Sequence, residues 1–327
     1  MTGDVGTTVD DALDDAAAVF AAARRRLFGI AYRMLGSSAE AEDVVQETWV
    51  RWQTTDRSVV VNPQAFLTTA ATRLAINVLQ SARSRRETYI GPWLPEPVDT
   101  SEDPTLGAER AEALDVAVLA LLERLTPTER AAYVLREAFD YGYPEIARIV
   151  GVSPTATRQL VSRARKHLAA EPRNTVSPTE RRALLEAFLA AARVGDIERL
   201  ERLFAENVTS RADSNGTAKH VARVAVTGPS KVARVLSSFA EIFWAGITTR
   251  PIEVNGEEGM AMERDGELIG VLAVTVSSDG LHELMWQLNP DKIDPFRRAR
   301  AGRAAPEGSP EGSGGSATPG PSATAGS

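Results

Sequence analysis

Five side chains at helical spacing, Arg158, Gln159, Ser162, Arg163 and Lys166, are of the types that meet phosphate oxygens and base edges. A guanidinium offers a forked donor, an amide and a hydroxyl donate and accept, and an ammonium neutralises a phosphate. That chemistry is duplex recognition, not bond making. Groups able to move protons are scattered: Asp213, His220, Glu263 and His282 fall into no dyad or triad spacing. A lone strand histidine is more often a wall residue than a catalyst, and Met260, Met262, Met285 and Trp286 read as core. The chain has no cysteine, which excludes disulfides, thiolate zinc sites and thiol redox sensing. No metal site and no cofactor is expected.

The element that must carry those five residues is the second helix of a helix-turn-helix over 139–168. Pro144 can start a short helix with Ile146, Ala147, Ile149 and Val150 on its apolar side, and Gly151 can stop it. Ser153 caps the next helix and Pro154 opens it. Thr157, Leu160, Val161, Ala164 and Leu168 then face inward and leave the polar set outside. A basic amphipathic helix in any bundle would share that pattern, but the short helix, tight turn and basic second helix together match DNA readers.

Upstream, a helix with Phe20, Ala23, Leu27, Ile30, Ala31 and Met34 on one face ends near Gly36. Ser37 and Glu40 stand in capping-box relation ahead of a second helix. Its face Glu42, Asp43, Gln46, Glu47 is acidic and, taken alone, reads as a solvated surface. After the loop 53–62, Asn62 and Pro63 start a third helix that turns Arg73 and Asn77 outward and ends in Arg83, Arg85 and Arg86, able to neutralise phosphates. Residues 87–105 hold several prolines and should be extended. A structureless spacer has no use for Trp93 and Leu94, so WLPEP reads as a segment that docks. A helix follows from about Pro104, then a capped start at Thr126, Pro127 and Glu129.

The net charge of −7 over 327 residues confines nucleic-acid contact to local clusters. No apolar run approaches ~20 residues and the acidic start lacks a signal pattern, so a cytoplasmic protein with no membrane association is expected. From Ser177 the chain reads as two helices, then strands near Val208, at 218–226, 248–255, 259–264, 267–277 and 281–288, with a helix at 229–243. Asp265-Gly266 and Asp279-Gly280 mark hairpin turns. Helices followed by a curved antiparallel sheet suggest an α+β cone with a hollow interior. Residues 297–327 have the composition of a disordered tail.

The pieces GSSAEAEDVVQETWVRW (36–52), NPQAFLTTAATRLAINVL (62–79) and LTPTERAAYVLRE (125–137), with the helix-turn-helix, resemble extracytoplasmic-function (ECF) sigma factors of bacterial RNA polymerase. The resemblance covers nearly all of residues 15–170, where ordinary members end. The second half resembles the SnoaL-like, nuclear-transport-factor-2-like fold. WLPEP (93–97), DSNGT (213–217) and NPDKI (289–293) correspond to markers of SigJ-type sigma factors with a fused SnoaL-like extension. In that group the middle marker has glycines and a basic residue after the aspartate, where this chain has Ser214, Asn215 and Thr217.

The resemblance implies a multidomain chain: all-α sigma domains 2 and 4, then an α+β SnoaL-like cone. The expected divisions are a disordered start to residue 12, sigma domain 2 over 13–88, and a linker over 89–105. Sigma domain 4 over 106–170, the extension over 177–296 and the tail complete the chain. Asp43, Gln46 and Glu47 would meet core polymerase; Arg73, Asn77, Arg83 and Arg86 the minus-10 strand; the five helix residues the minus-35 element. Trp93, Leu94, Pro95, Asp213, Asn289, Pro290, Asp291 and Lys292 would form a regulatory interdomain contact. Implied partners are promoter DNA, the beta-prime clamp and beta flap of core polymerase, and a small ligand or protein partner of the extension. Two other readings stay open from residues alone: a helix-turn-helix regulator with a ligand-sensing domain, and a SnoaL-like isomerase or cyclase.

Overall fold

The computed structural model describes residues 6–86, 89–98, 100, 116–168, 176–219 and 221–304, without the side chains of 6–14, 82–86 and 299–304. His220, the arginine side chains at 83, 85 and 86, the helix onset near Pro104 and the tail past 304 lie outside that description.

The first half is helical: α1 (Gly6–Leu35), α2 (Ser38–Thr54), α3 (Pro63–Arg86), α4 (Val116–Leu122), α5 (Pro127–Glu137), α6 (Tyr143–Val150) and α7 (Pro154–Leu168). Caps fix their ends. Thr126 and Glu129 close a reciprocal capping box on α5, Gly151 ends α6 at φ 74°, and Ser153 Oγ accepts the Ala156 N–H at 3.1 Å. Apolar side chains from Ala16 in α1 to Leu168 in α7 form one continuous buried cluster, so the two expected sigma regions share a core.

The second half opens with α8 (Pro178–Val194) and α9 (Ile197–Leu203). Strand β1 (Phe204–Asp213), a short β2 (Val226–Thr227), α10 (Pro229–Ser238) and α11 (Ala240–Phe243) follow. Then come β3 (Ile247–Val254), β4 (Glu257–Arg264), β5 (Glu267–Ser277), β6 (Gly280–Gln287) and α12 (Pro290–Ala304). The sheet order is β2-β1-β6-β5-β4-β3, antiparallel except that β1 runs parallel to β6. Alternation along the strands gives the sheet two faces. Leu272, Val274, Leu284 and Trp286 pack on one face against α8 to α11. Ala261 and Val271 pack on the other against Ile293 and Phe296 of α12.

Five expectations are corrected. The start expected to be disordered to residue 12 is helical from Gly6. The sheet expected to be antiparallel has one parallel pair, β1 with β6, because the chain crosses over from β1 to the far end of the sheet before it returns. The strand expected over 218–226 is reduced to Val226–Thr227, and Val221 and Ala222 line a cavity instead of pairing with β1. The helix expected over 229–243 breaks at Phe239, whose φ of −112° lies outside helical values. The extension does not end at 296: α12 continues to Ala304, with Arg297 Nη2 donating to the Leu268 carbonyl at 2.9 Å.

Candidate nucleic-acid interface and interdomain latch

On α7, Thr157, Val161, Ala164 and Leu168 are buried, and that fixes the helix rotation. Arg158, Gln159, Ser162, Arg163 and Lys166 are consequently exposed together. Arg163 Nε lies 2.9 Å from Glu129 Oε1, and the Arg158 guanidinium sits 5.5 Å from the Tyr143 ring centre. Burial pushes the Glu129 carboxyl up, but hydrogen bonds from Thr126 and Arg163 outweigh it and hold its pKa below the ordinary value. The α2 residues Asp43, Gln46 and Glu47 are also exposed, with Glu47 paired to Arg51 at 3.1 Å.

Asn77 on α3 is exposed, but Arg73 is committed elsewhere. Its Nε donates to the Ile149 carbonyl at 2.9 Å and its Nη2 to the Arg148 carbonyl at 3.1 Å. These are end carbonyls of α6 that no helical N–H reaches. Arg130 of α5 makes the converse contact: its Nη1 donates to the Met34 carbonyl of α1 and pairs with Glu123, each at 2.6 Å. Burial pushes the Arg130 guanidinium down to about 9. A guanidinium turned toward the protein finds its acceptors among such open carbonyls, although Arg130 Nε stays buried without one.

Residues 89–98 run between the helical body and the sheet, held from both sides. Asp213, fully buried at the end of β1, accepts from Tyr89 Oη at 2.5 Å, from the Leu94 N–H at 2.8 Å and from Lys292 Nζ at 2.7 Å. Lys292 Nζ also donates to the Leu94 carbonyl at 2.6 Å and lies 4.1 Å from the Trp93 ring centre. Gln287 Nε2 reaches the Pro95 carbonyl at 3.0 Å, and Asn289 Nδ2 donates to Tyr89 Oη at 2.9 Å. Leu94 itself is buried among Val116, Ala117 and Met285. Pro290 and Asp291 stand exposed on the first turn of α12, where Asn289 Oδ1 accepts the Asp291 N–H at 3.1 Å.

On its other side the linker grips the helices. Glu96 Oε1 accepts from Ser37 Oγ at 2.7 Å, and Oε2 accepts the Ser38 N–H at 2.6 Å and the Ser38 hydroxyl at 2.7 Å. This carboxylate sits on the N-terminus of α2, where open N–H groups and the helix dipole favour negative charge. Tyr32 Oη donates to the Glu96 carbonyl at 2.7 Å and accepts from Asn255 Nδ2 at 2.6 Å. Asn255 also exchanges hydrogen bonds with Val98, N–H to carbonyl at 2.8 Å and Oδ1 from N–H at 3.0 Å. One asparagine thus joins extension, linker and first helix.

Every proton-transfer candidate that can be described is occupied structurally. Asp213 spends both oxygens on the linker. His282 Nε2 is held 2.8 Å from Ser277 Oγ and 3.0 Å from Asp279 at the β5–β6 turn. Glu263 pairs with Arg250 at 2.5 Å on the surface. Among the described residues no cluster of three or more His, Asp or Glu is placed to hold a metal, and no helix is long and apolar enough to cross a membrane.

Of the eight expected latch residues, Trp93, Leu94, Pro95, Asp213, Asn289 and Lys292 converge. Sequence reasoning missed Tyr32, Tyr89, Glu96, Asn255 and Gln287. Asn255-Gly256 carried a signal: it is a hairpin-turn pair, and both residues take positive φ, 56° and 79°. Glu96 lies inside the WLPEP segment expected to dock, and nothing in the spacing of Tyr32, Tyr89 and Gln287 points across the chain.

A helical body that carries a helix-turn-helix, fused to an α+β domain, defines the class, and comparison with known proteins agrees. Residues 19–85 match the model for Sigma-70 region 2, and residues 115–168 match Sigma-70, region 4. The ECF RNA polymerase sigma factor SigJ of Mycobacterium tuberculosis is 38% identical, over 86% of this chain and 95% of that protein. The probable ECF sigma factor SigI of the same species is 27% identical over 88% of this chain and 98% of its own length. The crystal structure of M. tuberculosis SigJ superposes with a TM-score of 0.67 at 35% identity, covering 85% of this chain and 98% of that one. The chain belongs to the extracytoplasmic-function RNA polymerase sigma factors of the SigJ type. It is a non-enzymatic initiation factor whose partners are core RNA polymerase and promoter DNA.

Proposed function

We propose that this sigma factor is gated by its own C-terminal domain in the cytoplasm, with sigma domain 2 at 13–88, sigma domain 4 at 106–170 and a regulatory extension that begins at 177 and runs through α12. In the active form Asp43, Gln46 and Glu47 engage the beta-prime clamp, and domain 4 rests on the beta flap. Arg73, Asn77, Arg83 and Arg86 take the minus-10 strand. Arg158, Gln159 and Ser162 read minus-35 base edges, with Arg163 and Lys166 on phosphates. A well-formed Arg–guanine pair contributes ~1–3 kcal/mol of discrimination.

The observation that carries the gating is the linker bound on two sides, by Tyr32, Ser37 and Ser38 of the helices and by Asp213, Lys292 and Asn255 of the extension. In this arrangement Arg73 serves the end of α6 and is not available to DNA. Two modules that share a core cannot reach two promoter elements until they part. A small ligand or a protein partner of the extension shifts that equilibrium only by binding its two states unequally.

The test is promoter run-off with core polymerase, comparing full-length protein with protein truncated after residue 170. The truncated form is expected to bind core and initiate more readily. Unchanged core binding and unchanged transcript would remove the gating reading.

A further inference from the structure

The sheet that holds the linker on one face walls a cavity on the other. That cavity is partly open: about 490 Å³ of unfilled space lies in it and at its mouth, and about 50 Å³ of that admits the centre of a water molecule. Phe239, Phe243, Trp244 and Trp286 supply its rings, and Ser210 is its polar spot. Trp286 Nε1 donates to Ser210 Oγ at 3.1 Å, and among the described residues nothing accepts the hydroxyl hydrogen of Ser210. The space therefore suits a small flat molecule with an apolar ring and one oxygen acceptor.

Three elements belong to both cavity and latch. On β1, Ala212 lines the cavity and the next residue, Asp213, holds the linker. On β6, Trp286 lines it and the next residue, Gln287, bonds the Pro95 carbonyl. The segment between β1 and β2 closes the cavity with Val221 and Ala222. It also packs on the linker, since a Cβ at Gly216 would meet Ile90 at 3.1 Å and one at Gly91 would meet the Arg223 carbonyl at 3.4 Å. The wall that an occupant needs in place is the same wall that seats residues 90 and 91.

We infer that this cavity is a regulatory site for a small aromatic compound bearing an oxygen acceptor, and that its occupant strengthens linker docking and holds the factor closed. The inference rests on the gating reading above and adds the ligand class and the direction of the effect. An occupant favours whichever state has its walls assembled, and linkage then makes docking favour the occupant equally.

The probe is 4-fluorophenol added to the full-length chain, with binding followed by fluorine NMR and linker docking by hydrogen exchange of the peptide spanning 89–98. Saturable binding is expected, with exchange in that peptide slowed several-fold. Ala222→Trp, which fills the cavity from a half-exposed wall position, should abolish binding and leave the circular dichroism unchanged. Ser210→Ala should weaken binding several-fold. Absence of saturable binding, or binding that leaves exchange in 89–98 unchanged or faster, overturns the inference. None of those results bears on the gating reading, which the truncation in the run-off assay tests separately.

Discussion

Asp213 and Lys292 illustrate how unevenly the latch distributes its energy. Both are buried, and their 2.7 Å contact gains strength from exclusion of water, but the desolvation of each charge opposes it. Removing one partner leaves the other charge uncompensated. Asp213→Asn should therefore destabilise the docked form by about 3–5 kcal/mol, seen as a lower denaturation midpoint and more run-off transcript. Lys292→Met should also release the linker, while the double variant Asp213→Asn with Lys292→Met should lie closer to wild type than additivity allows. Additive effects would mean that the pair does not act as a unit. Glu96→Gln tests the other side. It removes the carboxylate from the α2 N-terminus and should cost about 1 kcal/mol in the full-length chain, measured by urea unfolding.

At the scale of elements, the end of α1 and the start of α2 form the seat for the linker. Gly36 takes φ 66°, and a Cβ there would lie 2.7 Å from Trp93 Cη2. Gly36→Ala combines the strain of positive φ, about 1 kcal/mol, with displacement of the Trp93 ring. The expected outcome is red-shifted tryptophan emission and faster proteolysis within 89–98; unchanged emission would place Trp93 elsewhere. The α2 cap shows how far local pattern reaches. Ser37 Oγ accepts the Glu40 N–H at 3.2 Å, as its spacing indicates. The rest of the cap comes from Glu96, a residue 59 positions away, which no capping rule anticipates. The segment 218–226 fails for a related reason. Its three valines, Val221, Val224 and Val226, suit a strand, but Val221 lines the cavity and only Val226 pairs with β1.

For the whole molecule, the closed arrangement depends on two neutral phenols at the junction. Burial pushes Tyr32 well above the ordinary tyrosine range. Burial followed by the hydrogen bond to Asp213 does the same for Tyr89. A raised folded pKa means that this stabilisation is whole below about pH 10 and is lost as pH climbs past it, since an opened chain ionises first. Ultraviolet phenolate absorbance should rise together with exchange in 89–98 above that pH, and Tyr32→Phe should blunt the coupling. Ionisation without undocking would separate the phenols from the latch.

What local sequence determined here is the set of features written in near-neighbour spacing. The polar face of α7 follows from the buried positions at 157, 161, 164 and 168, because a helix with one apolar stripe can rotate only one way onto its core. The helix ends at Ser153, Thr126 and Gly151 follow from capping chemistry, and the hairpin at Asp265-Gly266 from its tolerance of positive φ. Motif resemblance marked Trp93, Asp213 and Lys292 without saying how they meet. Tertiary structure alone decided that Arg73 is spent on α6, that Asn255 reaches Tyr32, and that Glu96 completes a helix begun by Ser37. Those pairings join residues distant in the chain, and only the shape of the assembled core selects which buried polar groups must satisfy one another.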